Sequence, residues 1–163
     1  MKIEMTIQEA REDYAAIRPS WRIELGKLGE KEAVEYLVRK GWHILAQNWR
    51  CGRIGEIDII ARDPDHLLVF CEVKTRVTSS SEFGFANAGF ESVYGKKQRK
   101  IATLAANFMR FYNAHSSACR FDVLVVEYKM PPDIARRNTK PRERLAVLQT
   151  VLPTIRHVAA AFS

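Results

Sequence analysis

Two apolar segments joined by a short turn constrain the fold of this chain more than any other feature. Residues 55–61 and 67–75 are mainly apolar and flank an Asp-Pro-Asp sequence at 63–65. Proline fixes φ in such a turn, and the aspartate side chains cap local backbone groups. The pattern predicts an antiparallel β-hairpin. Because a hairpin folds back on itself, we expect Asp58 of the first strand to approach the region of Glu72 in the second.

The remaining periodicity predicts helices on both sides of the hairpin. Over 21–40, apolar residues that include Ala33 and Leu37 recur at helical spacing, and Gly41 follows as a natural stop. A second helix over 96–112 carries an apolar stripe that should pack across a sheet. Further elements are predicted as strands over 42–46, 121–128 and 145–152, and as a closing helix over 154–162.

The order of these elements predicts an α/β protein with one mixed β-sheet flanked by helices. The segment 121–128 is almost continuously apolar, which is typical of an interior strand. A length of 163 residues favours one domain. We expect an N-terminal arm or short helix over 1–20 and a single domain over 21–163, with a long loop over 77–95 and a basic loop over 129–144.

Composition narrows the classes of function. Lys and Arg exceed Asp and Glu by seven, and the sequence pI is about 9.5, which favours polyanionic partners such as DNA. No apolar run approaches the roughly 20 residues that span a bilayer, so no membrane partner is expected. The first residues lack the apolar block of a secretory signal, which predicts a cytoplasmic protein. The three widely spaced cysteines are expected to be free thiols.

Three charged side chains of the predicted hairpin could build a metal site. Side chains alternate between the faces of a strand, so Glu72 and Lys74 project the same way while Val73 points to the opposite face. Asp58 lies within a run of isoleucines, where a carboxylate needs a cation or a hydrogen-bond donor. Glu30 occupies the apolar stripe of its helix and is a candidate third acid.

Each of these residues also has a structural interpretation. Asp58 could pair with an arginine such as Arg62, and Glu72 with Lys74 could form an ordinary ion pair on an exposed strand. Glu30 could turn toward solvent. The conjunction of all these charges at one end of a sheet is what favours a functional site.

The chemistry suggested is metal-assisted hydrolysis of a phosphodiester. Mg²⁺ or Mn²⁺ prefers carboxylate and carbonyl oxygens, which Asp58, Glu72 and the Val73 carbonyl could supply. Lys74 would orient the attacking water or neutralise charge that develops on the phosphate. Lys97 lies on the inward stripe of its helix and could touch the scissile phosphate. Candidates for contacts to backbone phosphates are Asn48, Arg50 and Arg76, and Glu56 could be either part of the site or structural.

At these residues the sequence resembles the YraN-type proteins. The resemblance runs from about residue 25 to residue 128 and resumes near residue 150. Its central motifs are Gly-Glu-Ile-Asp-Ile-Ile at 55–60 and Glu-Val-Lys-Thr-Arg at 72–76, accompanied by Gly29-Glu30, Asn48-Trp49-Arg50, Lys97, Phe121-Asp122-Val123 and Ile155-Arg156-His157-Val158. The segment 129–147 departs from the family pattern because it is longer and more basic.

The resemblance implies a restriction-endonuclease-like fold of the PD-(D/E)xK superfamily, similar in motif layout to archaeal Holliday-junction resolvases. By it, Glu30 matches the acidic helix residue, Asp58 and Glu72 the metal-binding acids, and Lys74 the catalytic lysine. The expected activity is a Mg²⁺-dependent endonuclease that acts on DNA, with branched or damaged DNA as candidate substrates and a homodimer as a candidate assembly. The alternatives are a non-catalytic nucleic-acid-binding module of the same fold and a partner of an acidic protein.

Overall fold

In the computed structural model, which describes residues 7–78, 96–114, 117–136 and 139–162, five strands form one mixed sheet flanked by helices. This α/β architecture confirms the predicted fold class and is consistent with a restriction-endonuclease-like fold. The strands follow one another across the sheet in chain order; β3 and β4 are parallel and the other neighbours antiparallel. The elements are α1 (Ile7–Arg39), β1 (His43–Cys51), β2 (Gly55–Arg62), β3 (Leu68–Thr78), α2 (Lys96–Phe111), β4 (Cys119–Lys129), α3 (Pro132–Arg136), α4 (Pro141–Leu148) and β5 (Thr154–Phe162).

The predicted hairpin is present as β2 and β3. Its ladder runs from the Arg62–Leu68 pair at the turn to the Ile59–Cys71 pair. In the turn, Asp63 Oδ1 accepts hydrogen bonds from the backbone N–H groups of residues 65 and 67, at 3.0 and 2.9 Å. Local turn chemistry therefore sets the register that brings Asp58 toward β3.

The two faces of the sheet carry separate apolar clusters. Ala33 and Leu37 of α1 pack against one face, and Leu104 and Phe108 of α2 pack against the other. This alternation assigns Val73 to the α1 side, while Leu68 and Phe70 lie on the α2 side. Glu72 and Lys74 continue the α2-facing series, as strand alternation predicts.

The C-terminal elements were predicted wrongly. The segment 145–152 was expected to be an edge strand, but residues 145–148 form the end of helix α4 and residues 149–152 follow it without strand structure. The segment 154–162, expected to be a helix, is the edge strand β5, which pairs with β4 through contacts such as Val123–Val158. The reason is tertiary: β4 presents backbone N–H and C=O groups along its free edge, and β5 satisfies them. Single-segment periodicity does not reveal that demand.

Three predicted boundaries also differ from the structure. Helix α1 begins at Ile7, so residues 7–20 of the expected arm are helical; residues 1–6 lie outside the described part of the chain. The basic segment 129–144 is not a continuous loop, since it contains α3 and the start of α4; residues 137–138 are outside the description. The long loop expected over 77–95 begins after Thr78, and its remaining residues are likewise not described.

The interior position of β4, between β3 and β5, agrees with its apolar sequence. Strand β1 continues to Cys51, five residues beyond the predicted strand. The three cysteines are free thiols, as expected, and Cys71 is buried. Among the described helices, not one combines the length and the apolar character that a bilayer crossing requires.

Candidate functional site

The site begins where β2 and β3 separate. Beyond the Ile59–Cys71 pair, Asp58 Oδ2 accepts a hydrogen bond from the backbone N–H of Val73 at 2.7 Å, so a side chain takes up a strand donor at the point where the ladder ends. The pKa of Asp58 is raised from its ordinary 3.8 to about 7, chiefly by burial and next by the negative charge of Glu72, while the Val73 hydrogen bond acts in the opposite direction. An ionised Asp58 is therefore unfavourable without an added cation.

Glu72 is buried, with 6% of its surface exposed, and binds two ammonium groups. Its Oε1 contacts Lys74 Nζ at 2.6 Å and also pairs with Lys97 Nζ from the first turn of α2. Burial lowers the pKa of Lys74, although its contact with Glu72 acts in the other direction. Burial also opposes the charge on Lys97, but the hydrogen bond to Glu72 together with the interactions with Lys74 and the charges of Glu72 and Asp58 raises the Lys97 pKa overall. The two lysines compensate the Glu72 carboxylate electrostatically.

The backbone of Val73 contributes to the same corner. In a β-strand the N–H and C=O groups of one residue point toward the same neighbouring strand. Because the Val73 N–H points to Asp58, its carbonyl faces the same side of β3. Val73 can therefore offer an oxygen beside Asp58 while its side chain remains in the α1-facing core.

Glu30 reaches the site from α1. It is half-buried, and its Oε2 accepts a hydrogen bond from Asn48 Nδ2 at 3.0 Å. Its charge adds to the increase in the pKa of Asp58, after the larger effects of burial and Glu72. Asn48 adopts φ +50° within β1, a conformation that asparagine tolerates better than most residues. Asn48 is predicted to contact phosphate; in the structure its side-chain amide donates a hydrogen bond to Glu30 of α1.

Close approach of α1 to β3 brings Glu30 into place. A Cβ atom at Gly29 would overlap the side chain of Thr75 on β3. The helix backbone consequently lies directly against the strand at the residue before Glu30. Glycine is needed here for space rather than for an unusual backbone angle.

A cavity of about 380 Å³ opens on the α2 side of this corner. Its lining combines three acidic residues of the hairpin with basic residues from β1 and α2. The charged residues that line it are Arg50, Glu56, Asp58, Glu72, Lys97 and Lys100.

The remaining predicted residues differ in their relation to the cavity. Arg50 lines it and pairs with Glu56, with Nη2 2.7 Å from Glu56 Oε2. Arg76 is two residues beyond Lys74 on the same face of β3, opposite Glu127 in the β4 register, and is not part of the cavity lining. The structure therefore groups Glu30, Asp58, Glu72, Lys74 and Lys97 at one corner, with Arg50 across the cavity.

Sequence reasoning missed Lys100. It lines the cavity one helical turn after Lys97. The i, i+3 spacing of these two lysines was the available signal, because residues so spaced share a helix surface.

The corner offers carboxylate and carbonyl oxygens, the ligands that a hard divalent cation prefers. Within the described ranges, His, Cys, Asp and Glu side chains form no group of three arranged to hold a metal ion. Two carboxylates and a backbone carbonyl nevertheless suit Mg²⁺, which commonly binds one or two protein carboxylates and takes its remaining ligands from water and phosphate. Burial and, next, the negative charge of Glu72 raise the pKa of Asp58, and a bound cation would offset both effects. The residues fit such an ion.

A second charged network lies on the α1-facing side of the sheet, around Asp122, which is opposite Cys71 in the β3–β4 register. Asp122 is fully buried and accepts hydrogen bonds from Arg120 Nε, His157 Nε2 and the backbone N–H of Ala160, at 3.0, 2.8 and 3.0 Å. Arg120 also donates to Asp63 Oδ2 at 2.8 Å. The network connects β4 to β5 and to the hairpin turn. It stabilises the sheet.

Comparison with known proteins identifies relatives over the same region. The sequence profile of the Uncharacterised protein family UPF0102 matches residues 29–126. The match begins in α1, one residue before Glu30, and ends in β4. A UPF0102 protein of Parafrankia sp. is 46% identical over 102 residues, which cover 63% of this chain and 80% of that protein. A relative in Mycolicibacterium smegmatis is 47% identical over 106 residues, 64% of this chain and 81% of its own length. One from Caldicellulosiruptor saccharolyticus is 42% identical over 115 residues, 71% and 92% of the two chains.

Proposed function

This chain belongs to the Uncharacterised protein family UPF0102, and we propose that it is a Mg²⁺- or Mn²⁺-dependent endonuclease that hydrolyses DNA phosphodiester bonds. The observation that carries the proposal is the corner at which Asp58 and Glu72 leave the paired part of the hairpin. There the half-buried carboxylate of Asp58, with a raised pKa, lies beside the buried carboxylate of Glu72, which already binds Lys74 and Lys97. Acids and ammonium groups so arranged suit the hydrolysis of an anionic ester.

Asp58, Glu72 and the carbonyl of Val73 would hold the cation. A bound Mg²⁺ or Mn²⁺ would supply Lewis-acid polarisation of the phosphoryl group and a lower pKa for a coordinated water. The hydrogen bond from Val73 N–H fixes the Asp58 carboxylate at the end of the ladder. Glu30, held by Asn48, adds negative potential that favours cation binding at Asp58.

The two lysines have separate tasks in this proposal. Lys74 lies 2.6 Å from Glu72 and orients the attacking water or neutralises charge that develops on the phosphate. Lys97 approaches Glu72 from α2 on the cavity side and contacts the scissile phosphate. Both ammonium groups already lie at the site, so little side-chain reorganisation accompanies substrate binding.

The substrate class is supported by charge and by motif layout. The net charge of +7 favours a polyanion. The Asp58 and Glu72-Val73-Lys74 motifs resemble those of the PD-(D/E)xK superfamily and of archaeal Holliday-junction resolvases. We therefore propose cytoplasmic DNA as the substrate, with branched or damaged DNA as the favoured structures and a homodimer as the assembly.

A cleavage assay tests the proposal. Purified protein is incubated with linear duplex, single-stranded and four-way-junction DNA in Mg²⁺, in Mn²⁺ and in EDTA. Metal-dependent cleavage is expected in the wild type and is lost in Asp58→Asn and Lys74→Met. Asp65→Asn, in the exposed turn at the far end of the hairpin, is the matched control and retains activity. Absence of cleavage in the wild type, or equal cleavage in Asp58→Asn, would refute the enzyme proposal.

A second function is favoured by one specific observation. Glu72 is neutralised by two ammonium groups in the absence of metal, so the corner could also serve a nucleic-acid-binding module without catalysis. That function predicts salt-dependent DNA binding by the wild type with no cleavage in either metal. The same panel of substrates separates the two functions.

A further inference from the structure

Three basic side chains line the cavity beside the paired acids, and they differ in their partners. Arg50 is paired with Glu56, and Lys97 with Glu72. Lys100 lines the same cavity but forms no ion pair with any residue in the described part of the chain. Among the three, Lys100 is therefore the one whose positive charge is not paired with a carboxylate of the described residues.

The Lys100 ammonium lies over the start of β2. A Cβ atom at Gly55 would overlap Lys100 Cε and Nζ, so the glycine provides the space that this side chain occupies. Gly55 also has φ +140°, a conformation that disfavours other residues. Glycine at this position therefore both allows the backbone conformation and leaves room for the lysine at the edge of the cavity.

Lys97 and Lys100 are three residues apart, so their Cβ atoms lie about 5–6 Å apart on one surface of α2. The Lys97 ammonium is directed to Glu72, whereas that of Lys100 lies across the cavity toward Gly55. Two cations that diverge from adjacent helical positions can meet two different phosphates of one strand. An uncompensated ammonium at the rim is suited to a phosphate that is bound without being cleaved.

We propose that Lys100, whose ammonium lies over Gly55 at the edge of the cavity, forms an anion subsite that binds a DNA phosphate next to the scissile one. This inference rests on the proposed function, because the adjacent corner is assigned there to the scissile phosphate. Lys100 is a substrate-binding residue that holds the strand in register with Asp58 and Glu72. Its contribution is to affinity and its salt dependence rather than to the chemical step.

Equilibrium binding in EDTA measures this role without turnover. Binding of a labelled DNA duplex and a four-way junction is titrated at several salt concentrations for the wild type, Lys100→Gln and Lys100→Arg. Loss of one phosphate contact lowers the slope of log K against log salt by about 0.9. For Lys100→Gln we expect that change and about threefold to tenfold weaker binding at low salt, as expected for one lost phosphate contact; Lys100→Arg should restore both.

Lys40→Gln is the matched control. Lys40 is exposed, and the neighbouring Gly41 lies near Pro64 at the turn end of the hairpin, away from the cavity. Its slope should equal that of the wild type. A wild-type slope in Lys100→Gln would overturn the subsite while leaving the nuclease proposal intact. Cleavage that is absent in Mg²⁺ while Lys100→Gln still lowers the slope would refute the nuclease and retain the anion subsite. No DNA binding by the wild type would overturn both.

Discussion

Asp58 accepts the backbone N–H of Val73 at 2.7 Å, at the point where β2 and β3 cease to form a ladder. In a continuing hairpin that N–H would bind a backbone carbonyl. Here a carboxylate takes the place of the carbonyl and is thereby held in a buried position near Glu72. The hydrogen bond that ends the β2–β3 ladder therefore also positions Asp58 beside Glu72.

Asp58→Asn should stabilise the metal-free protein at pH 8 by roughly 1–3 kcal/mol. This is the free energy that corresponds to the raised pKa of Asp58, reduced because the protein around an ionised Asp58 relaxes. The amide oxygen can still accept the Val73 N–H, but the buried negative charge beside Glu72 is removed. Chemical denaturation in EDTA measures the effect, with Asp65→Asn as the exposed control. Calorimetry should show that the same variant loses Mg²⁺ binding. A destabilised Asp58→Asn protein would contradict the electrostatic account.

The stability of the metal-free protein should depend on Asp58 ionisation. The pKa of Asp58 is about 7 in the folded protein and 3.8 ordinarily, so the folded state binds more protons between these values. Its contribution to stability is present below about pH 4 and declines as the pH rises toward 7. The difference in free energy of unfolding between wild type and Asp58→Asn, measured from pH 4 to 8, reports this decline. Millimolar Mg²⁺ should reduce it, and a pH-independent difference would exclude the assigned shift.

Gly29→Ala should destabilise the protein by roughly 1–3 kcal/mol, because the new methyl group overlaps Thr75 and forces α1 away from β3. Cleavage should fall as well, since Glu30 moves with the helix. Gly26→Ala is a matched control in the same helix: its Cβ would lie 4.0 Å from Glu30 Oε1, an ordinary contact, and alanine should increase helix stability. Thermal unfolding of both variants tests the close approach, and equal responses would argue against it.

Asn48→Gly separates two roles for this side chain. Glycine accepts the φ of +50° but removes the amide that holds Glu30. If Asn48 acts through Glu30, kcat should fall severalfold while the Kd for DNA in EDTA stays unchanged. If Asn48 instead contacts phosphate, the Kd and its salt dependence should change first. Parallel kinetic and binding titrations distinguish the positioning role from the originally predicted phosphate contact.

Asp122→Asn should destabilise the protein by about 2–4 kcal/mol, because it breaks a buried charged network and leaves Arg120 with Asp63 as its remaining carboxylate partner. Burial alone would raise the Asp122 pKa, but the hydrogen bonds from His157, Arg120 and Ala160 together lower it. Its stabilising contribution is therefore present above pH 3.8 and is lost as the pH falls through the lower folded pKa. Urea denaturation at pH 7 and pH 3 measures this.

Exposed Asp133→Asn serves as the control for the Asp122 variant. Asp122 lies opposite Cys71 in the β3–β4 register, on the α1-facing side of the sheet, whereas Glu72 and Lys74 lie on the α2-facing side, so the kcat of the folded Asp122→Asn protein should match that of the wild type. A large loss of kcat at full folding would instead assign the network to catalysis.

Much of the site could be predicted because its signals are local. Alternation along β3 placed Glu72 with Lys74, the Asp-Pro-Asp turn set the hairpin, and helical phase directed Glu30 and Lys97 inward. The partners of Arg50 and Asn48 could not be predicted in the same way. Those contacts depend on how α1 and β2 lie against β1, and a strand pattern carries no information about its neighbours.

The hairpin, the phases of α1 and α2 around their core residues, and the face of β3 that carries the charges follow from local sequence patterns. Turn chemistry and side-chain periodicity act within a few residues, so one segment is enough to predict them. Three features depend on contacts between distant segments: the pairing of 154–162 as β5, the end of the β2–β3 ladder at Ile59, and the position of Lys100 over Gly55. Each of these depends on unsatisfied backbone groups or free volume that exist only once separate elements have come together.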